Sequence, residues 1–178
     1  ALKRRGVLEM SRAISTTPYA GDISFNAKSG VKERTSLYGT EMHATRYQFG
    51  FAMTPERLRV GSRCFKVLDA LYGLGEVAGN QSRFLFDFSP ESIVLRVSDD
   101  PAPRVIYCFA ENNGHITAPD LIDKVKAGDI PPEELYIGGK VSSLPEVKEI
   151  GAAVCEPGVK KAVDACKEAL KSRLSLGE

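Results

Sequence analysis

The chain has 178 residues, 43% of them apolar, which supports one sizeable core with room for an appendage. Its longest apolar run, residues 105–110, is far too short to cross a bilayer, and the basic start LKRRGVLEM leads into no apolar signal-type stretch, so a cytoplasmic protein without membrane attachment is expected. The formal charge of +1 conceals an asymmetry: residues 1–66 hold twelve Lys/Arg against five Asp/Glu, and the remainder holds twelve against eighteen, so a basic first third suited to a polyanion precedes an acidic remainder.

In chain order, residues 7–14 predict a short apolar strand after the basic start. The segment STTPYAGDISFNAKSGVKERTS, punctuated by Pro18, Gly21 and Gly30, predicts an extended loop or hairpin at about 20–37 that carries Lys28, Lys32 and Arg34. The stretch YGTEMHATRYQFGFAM alternates as a strand does. Glu41, His43, Thr45, Tyr47, Phe49, Phe51 and Met53 fall on one face, which turns apolar from Tyr47 onward and is expected to meet a core there; Arg46 and Gln48 fall on the other.

Thr54-Pro55-Glu56 has the composition of a helix start, and Val60, Cys64, Val67, Leu68 and Leu71 recur at helical spacing, predicting a helix over 55–72. The loop GLGEVAGNQS follows. Strands are expected at 83–88, 92–98 and 104–110, linked by Ser/Pro and Asp/Pro turns. Strand, helix and a meander of three strands make an α+β pattern with helices to one side of an antiparallel sheet. Beyond Asn112-Asn113-Gly114, helices at 119–127, 146–150 and 158–174 alternate with strands at 134–137 and 152–155, predicting a small parallel α/β subdomain. The expected division is a palm over 1–111 and an α/β subdomain over 112–178.

The candidate chemistries narrow quickly. The four cysteines, Cys64, Cys108, Cys155 and Cys166, are widely spaced without C-x-x-C, which predicts buried free thiols and neither a zinc knuckle nor a disulfide framework. Glu41 and His43 share a face, but the other histidine, His115, lies in a distant Asn/Gly loop, so no metal site is expected. His43 with Glu41 or Glu33, and Arg46 as a charge stabiliser, have the residue types of a ribonuclease; a histidine hydrogen-bonded at the polar end of a strand has them too. Gly73, Gly75 and Gly79 lie between a helix and a strand, the wrong order for a Rossmann or P-loop motif. Those glycines either bring backbone N–H groups to a phosphate, beside Asn80, Gln81 and Ser82, or make a loose connection. Phe84, Phe86 and Phe88 form an aromatic stripe; sheets that bind single-stranded RNA stack bases on such aromatics, but on a central strand this stripe reads as core.

Four stretches, TTPYAGDISFNAKSG, LYGTEMHATRYQFGFAM, LDALYGLGEVAGNQSRFLFDF and SPESIVLRVSDDPAPRVIYCF, together resemble the C-terminal part of the DevR-type backbone subunit of type I CRISPR Cascade, of the I-B kind, within the RAMP superfamily. The T-E-x-H-A-T-R-Y-x-F core at 40–49 and the A-G-N-x-S-R run at 78–83 are its specific parts. The resemblance covers residues 10–110 best. It implies an RRM-like, ferredoxin-like antiparallel palm with a projecting thumb hairpin, incomplete at its N-terminus, with a small α/β appendage. It further implies a non-catalytic subunit that binds the guide RNA phosphate backbone without a cofactor and oligomerises along it for antiviral defence. The implied RNA-binding residues are Arg12, Lys28, Lys32, Arg34, His43, Arg46, Gly79, Asn80, Gln81 and Arg83. Implied partners are guide RNA, copies of the chain or the family's missing N-terminal part, other Cascade subunits and target DNA. The alternative within the superfamily is an endoribonuclease that processes guide RNA with His43 as general base.

Overall fold

The computed structural model describes residues 5–27, 37–74 and 88–175. Its centre is a three-stranded sheet. β7 (Ser92–Arg96) pairs antiparallel with β10 (Leu135–Gly139), and β10 pairs parallel with β11 (Val154–Glu156), giving the order β11-β10-β7. The period of two along each strand sorts side chains onto two faces. Ile93 and Leu95 of β7 join Ala162, Val163, Cys166 and Leu170 of helix α4 (Val159–Arg173) and Leu68 of α1 (Arg63–Tyr72) in one core cluster. Leu135 and Ile137 of β10 face the other way. They pack with Leu121 and Ile122 of α2 (Pro119–Lys126), with Ile130 and Val141, and with Val147 of the short α3 (Pro145–Lys148). The sheet is thus buried on both faces, which explains why its strands read as apolar runs. The architecture is α+β. Strand pairing crosses the junction at 111–112, since β7 comes from before it and β10 from after it.

Two glycines let these layers close. A Cβ on Gly138 would stand 2.7 Å from Ala162 Cβ, so α4 lies directly on the backbone of β10. Gly139 has φ of 87° and its missing Cβ leaves room for the Glu91 carbonyl, which accepts a hydrogen bond from Lys140 N at 2.9 Å.

The N-terminal half is built from two-stranded ribbons. β1 (Leu8–Met10) pairs with β6 (Phe51–Met53), and β2 (Ile14–Ser15) with β5 (Tyr47–Gln48). β3 (Gly21–Ala27) and β4 (Leu37–His43) pair in register from Gly21↔His43 to Ala27↔Leu37. Among the described strands they pair only with each other, so they form a projecting hairpin. β8 (Ala110–Asn112) and β9 (His115–Thr117) form a last hairpin around Asn113 and Gly114, both at positive φ.

Several expectations are corrected. The strand expected over 7–14 breaks at Ser11, whose backbone N and Oγ bond Gly50 O and Gly50 N instead. The strand expected across 40–53 breaks into β4, β5 and β6; Tyr47 and Phe49 are exposed, and only Phe51 of that aromatic run packs on the α4-side core. The helix expected over 55–72 is a 3-10 turn at Pro55–Arg57 and then, after Gly61-Ser62, α1; Val60 is exposed. Residues 104–107 form a turn in place of a strand, with Tyr107 at φ of 54°. Pro101 and Pro103 have no N–H to give a ladder, and Arg104 is drawn to Asp100 at 2.8 Å. The expected strand at 83–88 lies outside the described residues except for Phe88, which is exposed.

Candidate nucleic-acid interface

The β3–β4 hairpin presents side chains that a folded core would normally cover. On the face shared by Ile23, Phe25, Gly39 and Leu37, Phe25 is 77% and Leu37 73% exposed. On the other face Tyr38 and Met42 are exposed beside Ser24, Thr40 and Asn26, whose amide donates to Thr40 Oγ1 at 3.2 Å. Contiguous exposed apolar surface of this kind marks a place where something binds.

At the hairpin's base an aromatic cluster forms. Tyr19 folds back over Gly21, where any Cβ would collide with its phenol, and donates to Glu41 Oε1 at 2.5 Å. The hydrogen bond to Glu41 pushes the Tyr19 phenol above its usual pKa, so at neutral pH it is the donor. The Tyr19 ring meets His43 edge-on at 5.5 Å, and His43 Nε2 shares a hydrogen bond of 2.8 Å with the Tyr47 hydroxyl. Glu41 and His43 each have a tyrosine partner, so the geometry does not join them as an acid–base pair.

Arg46 stands at a second centre. Its Nε lies 3.2 Å from Glu91 and its Nη1 3.3 Å from Glu111, and Nη1 donates to Gly114 O at 3.0 Å. Glu111 also accepts from Thr16 Oγ1 at 3.1 Å, and Glu91 takes Lys140 Nζ at 3.0 Å. Arg46, Glu91, His115, Lys140, Ser143 and Leu144 border an open cavity of about 350 Å³. Arg46, expected to project toward a polymer, is therefore ion-paired within the fold.

Arg12 is exposed on the β1–β2 link, where its carbonyl accepts from Tyr107 Oη at 2.7 Å; no ion pair with a described carboxylate involves its guanidinium. Arg12, His43 and Arg46 are the described members of the expected set. Lys28, Lys32, Arg34, Gly79, Asn80, Gln81 and Arg83 lie outside the described residues. Sequence reasoning missed Tyr19, Glu91, Glu111 and Lys140, whose hydrogen-bond and ion-pair partners at the site are distant along the chain. Among the described residues no group of His, Cys, Asp and Glu converges as metal ligands, and no helix is long and apolar enough to cross a membrane.

What this site and the α+β frame define is a surface built around one projecting hairpin and two networks at its root. The chain is 47% identical, over 181 aligned positions covering 94% of its length, to the CRISPR-associated protein Cas7/Cst2/DevR of Myxococcus xanthus (strain DK1622). Over that span its sequence is similar to this DevR-type Cas7 protein, of the family that its motifs resemble. The chain spans 59% of the length of that relative. No family model matches it.

Proposed function

We propose that the chain is a non-catalytic backbone subunit of a type I CRISPR Cascade of the I-B kind, binding guide RNA by its phosphate backbone in antiviral defence. The observation that carries this reading is the 47% identity to the Myxococcus Cas7/Cst2/DevR protein along nearly the whole chain. The basic first third supports it, because backbone binding is electrostatic and needs a charged surface, not a pocket. In this reading the ribbons of residues 1–111 belong to an RRM-like palm, the β3–β4 hairpin is its thumb, and residues 112–178 are a small α/β subdomain. Copies of the chain, other Cascade subunits and target DNA are its partners in the cytoplasm. Arg12, His43 and Arg46, with Lys28, Lys32, Arg34, Gly79, Asn80, Gln81 and Arg83, make the RNA-binding set.

The endoribonuclease alternative finds no support in the arrangement at His43, whose ring is bonded to Tyr47 while Glu41 is bonded to Tyr19. The test is native purification without nuclease, followed by extraction, sizing and sequencing of bound nucleic acid. A discrete RNA bearing CRISPR repeat sequence is expected. Absence of RNA, even with the genomic neighbours co-expressed, overturns the reading.

A further inference from the structure

Resting on the RNA-binding reading, we infer that Glu91 is an internal stand-in for phosphate: its carboxylate occupies a two-cation site, made by Arg46 and Lys140 at the edge of the cavity, that a phosphate of a bound RNA strand takes when the Glu91 side chain leaves. The carboxylate is held as an oxyanion would be, with Oε2 toward Arg46 Nε at 3.2 Å and Oε1 toward Lys140 Nζ at 3.0 Å. A phosphate presents the same paired oxygens to the same donors.

The two carboxylates on Arg46 differ in a way that assigns them different roles. Glu111 is only 12% exposed and is tied to Thr16, and Gly114 O takes a further guanidinium N–H; these hold the guanidinium in place. Glu91 is 41% exposed, and among the described residues its carboxylate is paired with the two cations alone. Exposed ion pairs of this kind exchange readily, because solvent screens both the pair and its separation. The backbone at Glu91 is fixed, with its carbonyl accepting from Lys140 N and packed over Gly139, and with the neighbouring Ser92 Oγ accepting from Val141 N at 3.1 Å. Only the side chain needs to move. When it does, Arg46 still faces the cavity, while Lys140 is released and Ser143 lies on the same border to add a hydroxyl. By contrast Arg96, 7% exposed and bonded to both Asp100 and Glu134, sits in a closed structural network. The consequence is a threshold: Glu91 competes with weak polyanion contacts and yields to a strand already held elsewhere on the surface.

The test measures binding of the full chain to labelled single-stranded RNA by fluorescence anisotropy, as wild type, Glu91→Gln, Lys140→Gln and the double variant. Glu91→Gln keeps the shape and removes the competing charge, so affinity is expected to rise about twofold to fivefold at low salt, the range of an exposed ion pair. The gain is expected to vanish when Lys140→Gln is added, and Glu156→Gln, which loosens the exposed pair with Lys161, is expected to give none. Unchanged or weaker binding by Glu91→Gln overturns the inference, as does a gain that survives loss of Lys140 or is matched by Glu156→Gln. A wild type that binds no RNA overturns the proposed function instead. Inorganic phosphate then decides the site: a larger shift of the Arg46 Nε–H NMR signal in Glu91→Gln than in wild type supports it, and no shift in either overturns it.

Discussion

Gln48 treats Phe109 as a neighbouring strand would: its Nε2 donates to Phe109 O at 2.8 Å, and Phe109 N donates to Gln48 Oε1 at 3.0 Å. One side-chain amide thereby satisfies both backbone groups of a residue that has left the sheet ladder, and it joins the N-terminal ribbons to the segment that feeds β8. Backbone groups in partly buried positions need such partners.

Gln48→Ala removes both bonds at once and is expected to cost about 1–3 kcal/mol, the penalty of leaving such groups unpaired. Gln48→Glu keeps the acceptor and loses the donor, placing a carboxylate oxygen against Phe109 O, so it is expected to destabilise at neutral pH and to recover as pH falls. Urea unfolding of both variants at two pH values checks this. Equal stability of Gln48→Ala and wild type would mean that water replaces the amide at no cost.

Gly138 and Gly139 make a second prediction. Gly138→Ala drives a methyl against Ala162 and the Gly158 carbonyl beneath α4, and overpacking of this kind costs about 1–3 kcal/mol. Gly139→Ala is expected to be worse, because its φ of 87° disfavours any side chain and the new Cβ meets the fixed Glu91 carbonyl. Thermal unfolding should rank wild type above Gly138→Ala and Gly138→Ala above Gly139→Ala.

How much of this was legible in the sequence follows from the range of each interaction. α2 and α4 follow from local spacing: Leu121, Ile122 and Val125 in one, and Ala162, Val163, Cys166 and Leu170 in the other, recur at helical intervals beside their own polar faces. The parallel pairing of β10 and β11 likewise follows from alternation of strands and helices. Across residues 105–110 the apolar run signals burial without saying how its backbone is satisfied; Cys108 is buried, but Phe109 bonds a glutamine and Tyr107 turns the chain. The alternation through Tyr47 and Phe49 predicts a core-facing stripe, but period two cannot distinguish a core from a surface that awaits a partner. Arg46 was picked out by its neighbours in sequence, whereas Glu91, Glu111 and Lys140, which determine its state, become visible only when the chain is folded.

The aromatic cluster yields a third prediction. Gly21→Ala must push the Tyr19 phenol off the strand and so break its bond to Glu41. Since that bond is the first cause of the raised Tyr19 pKa, both Gly21→Ala and Glu41→Gln are expected to lower it toward the ordinary tyrosine value. An alkaline absorbance titration, with Tyr19→Phe identifying the transition, reads this directly. A Tyr19 transition that stays where it is in Glu41→Gln would show that the carboxylate is not the cause.

The thiols give a fourth. Burial pushes Cys108 and Cys166 up to about 12 and raises Cys64, which is completely covered. Cys155 is also raised by burial but is partly exposed, with its thiol near Ser142 O at 3.6 Å. The thiolate is the reactive form, so a thiol reagent at neutral pH is expected to label Cys155 first and the other three only on unfolding. Mass spectrometry of the native protein after partial labelling checks the order; early labelling of Cys108 would mean that the α2-side core opens more readily than its packing implies.

Acid provides the last prediction. Arg104 beside Asp100, then the Ala102 N–H and Arg96, hold the Asp100 carboxyl at about 2, below its ordinary 3.8. A carboxyl lowered in the folded state stabilises the fold above its unfolded pKa and loses that contribution as pH falls through its folded value. The window is therefore between about pH 4 and pH 2. Through this window the segment between β7 and β8 loses the anion that gathers Arg96 and Arg104. Asp100→Asn is expected to lower stability at neutral pH and to flatten the loss across that window, with the two proteins converging at its acid end. Chemical denaturation at a series of pH values measures both curves. Parallel curves would place the acid sensitivity in another carboxylate, and curves that diverge toward low pH would reverse the sign assigned to Asp100.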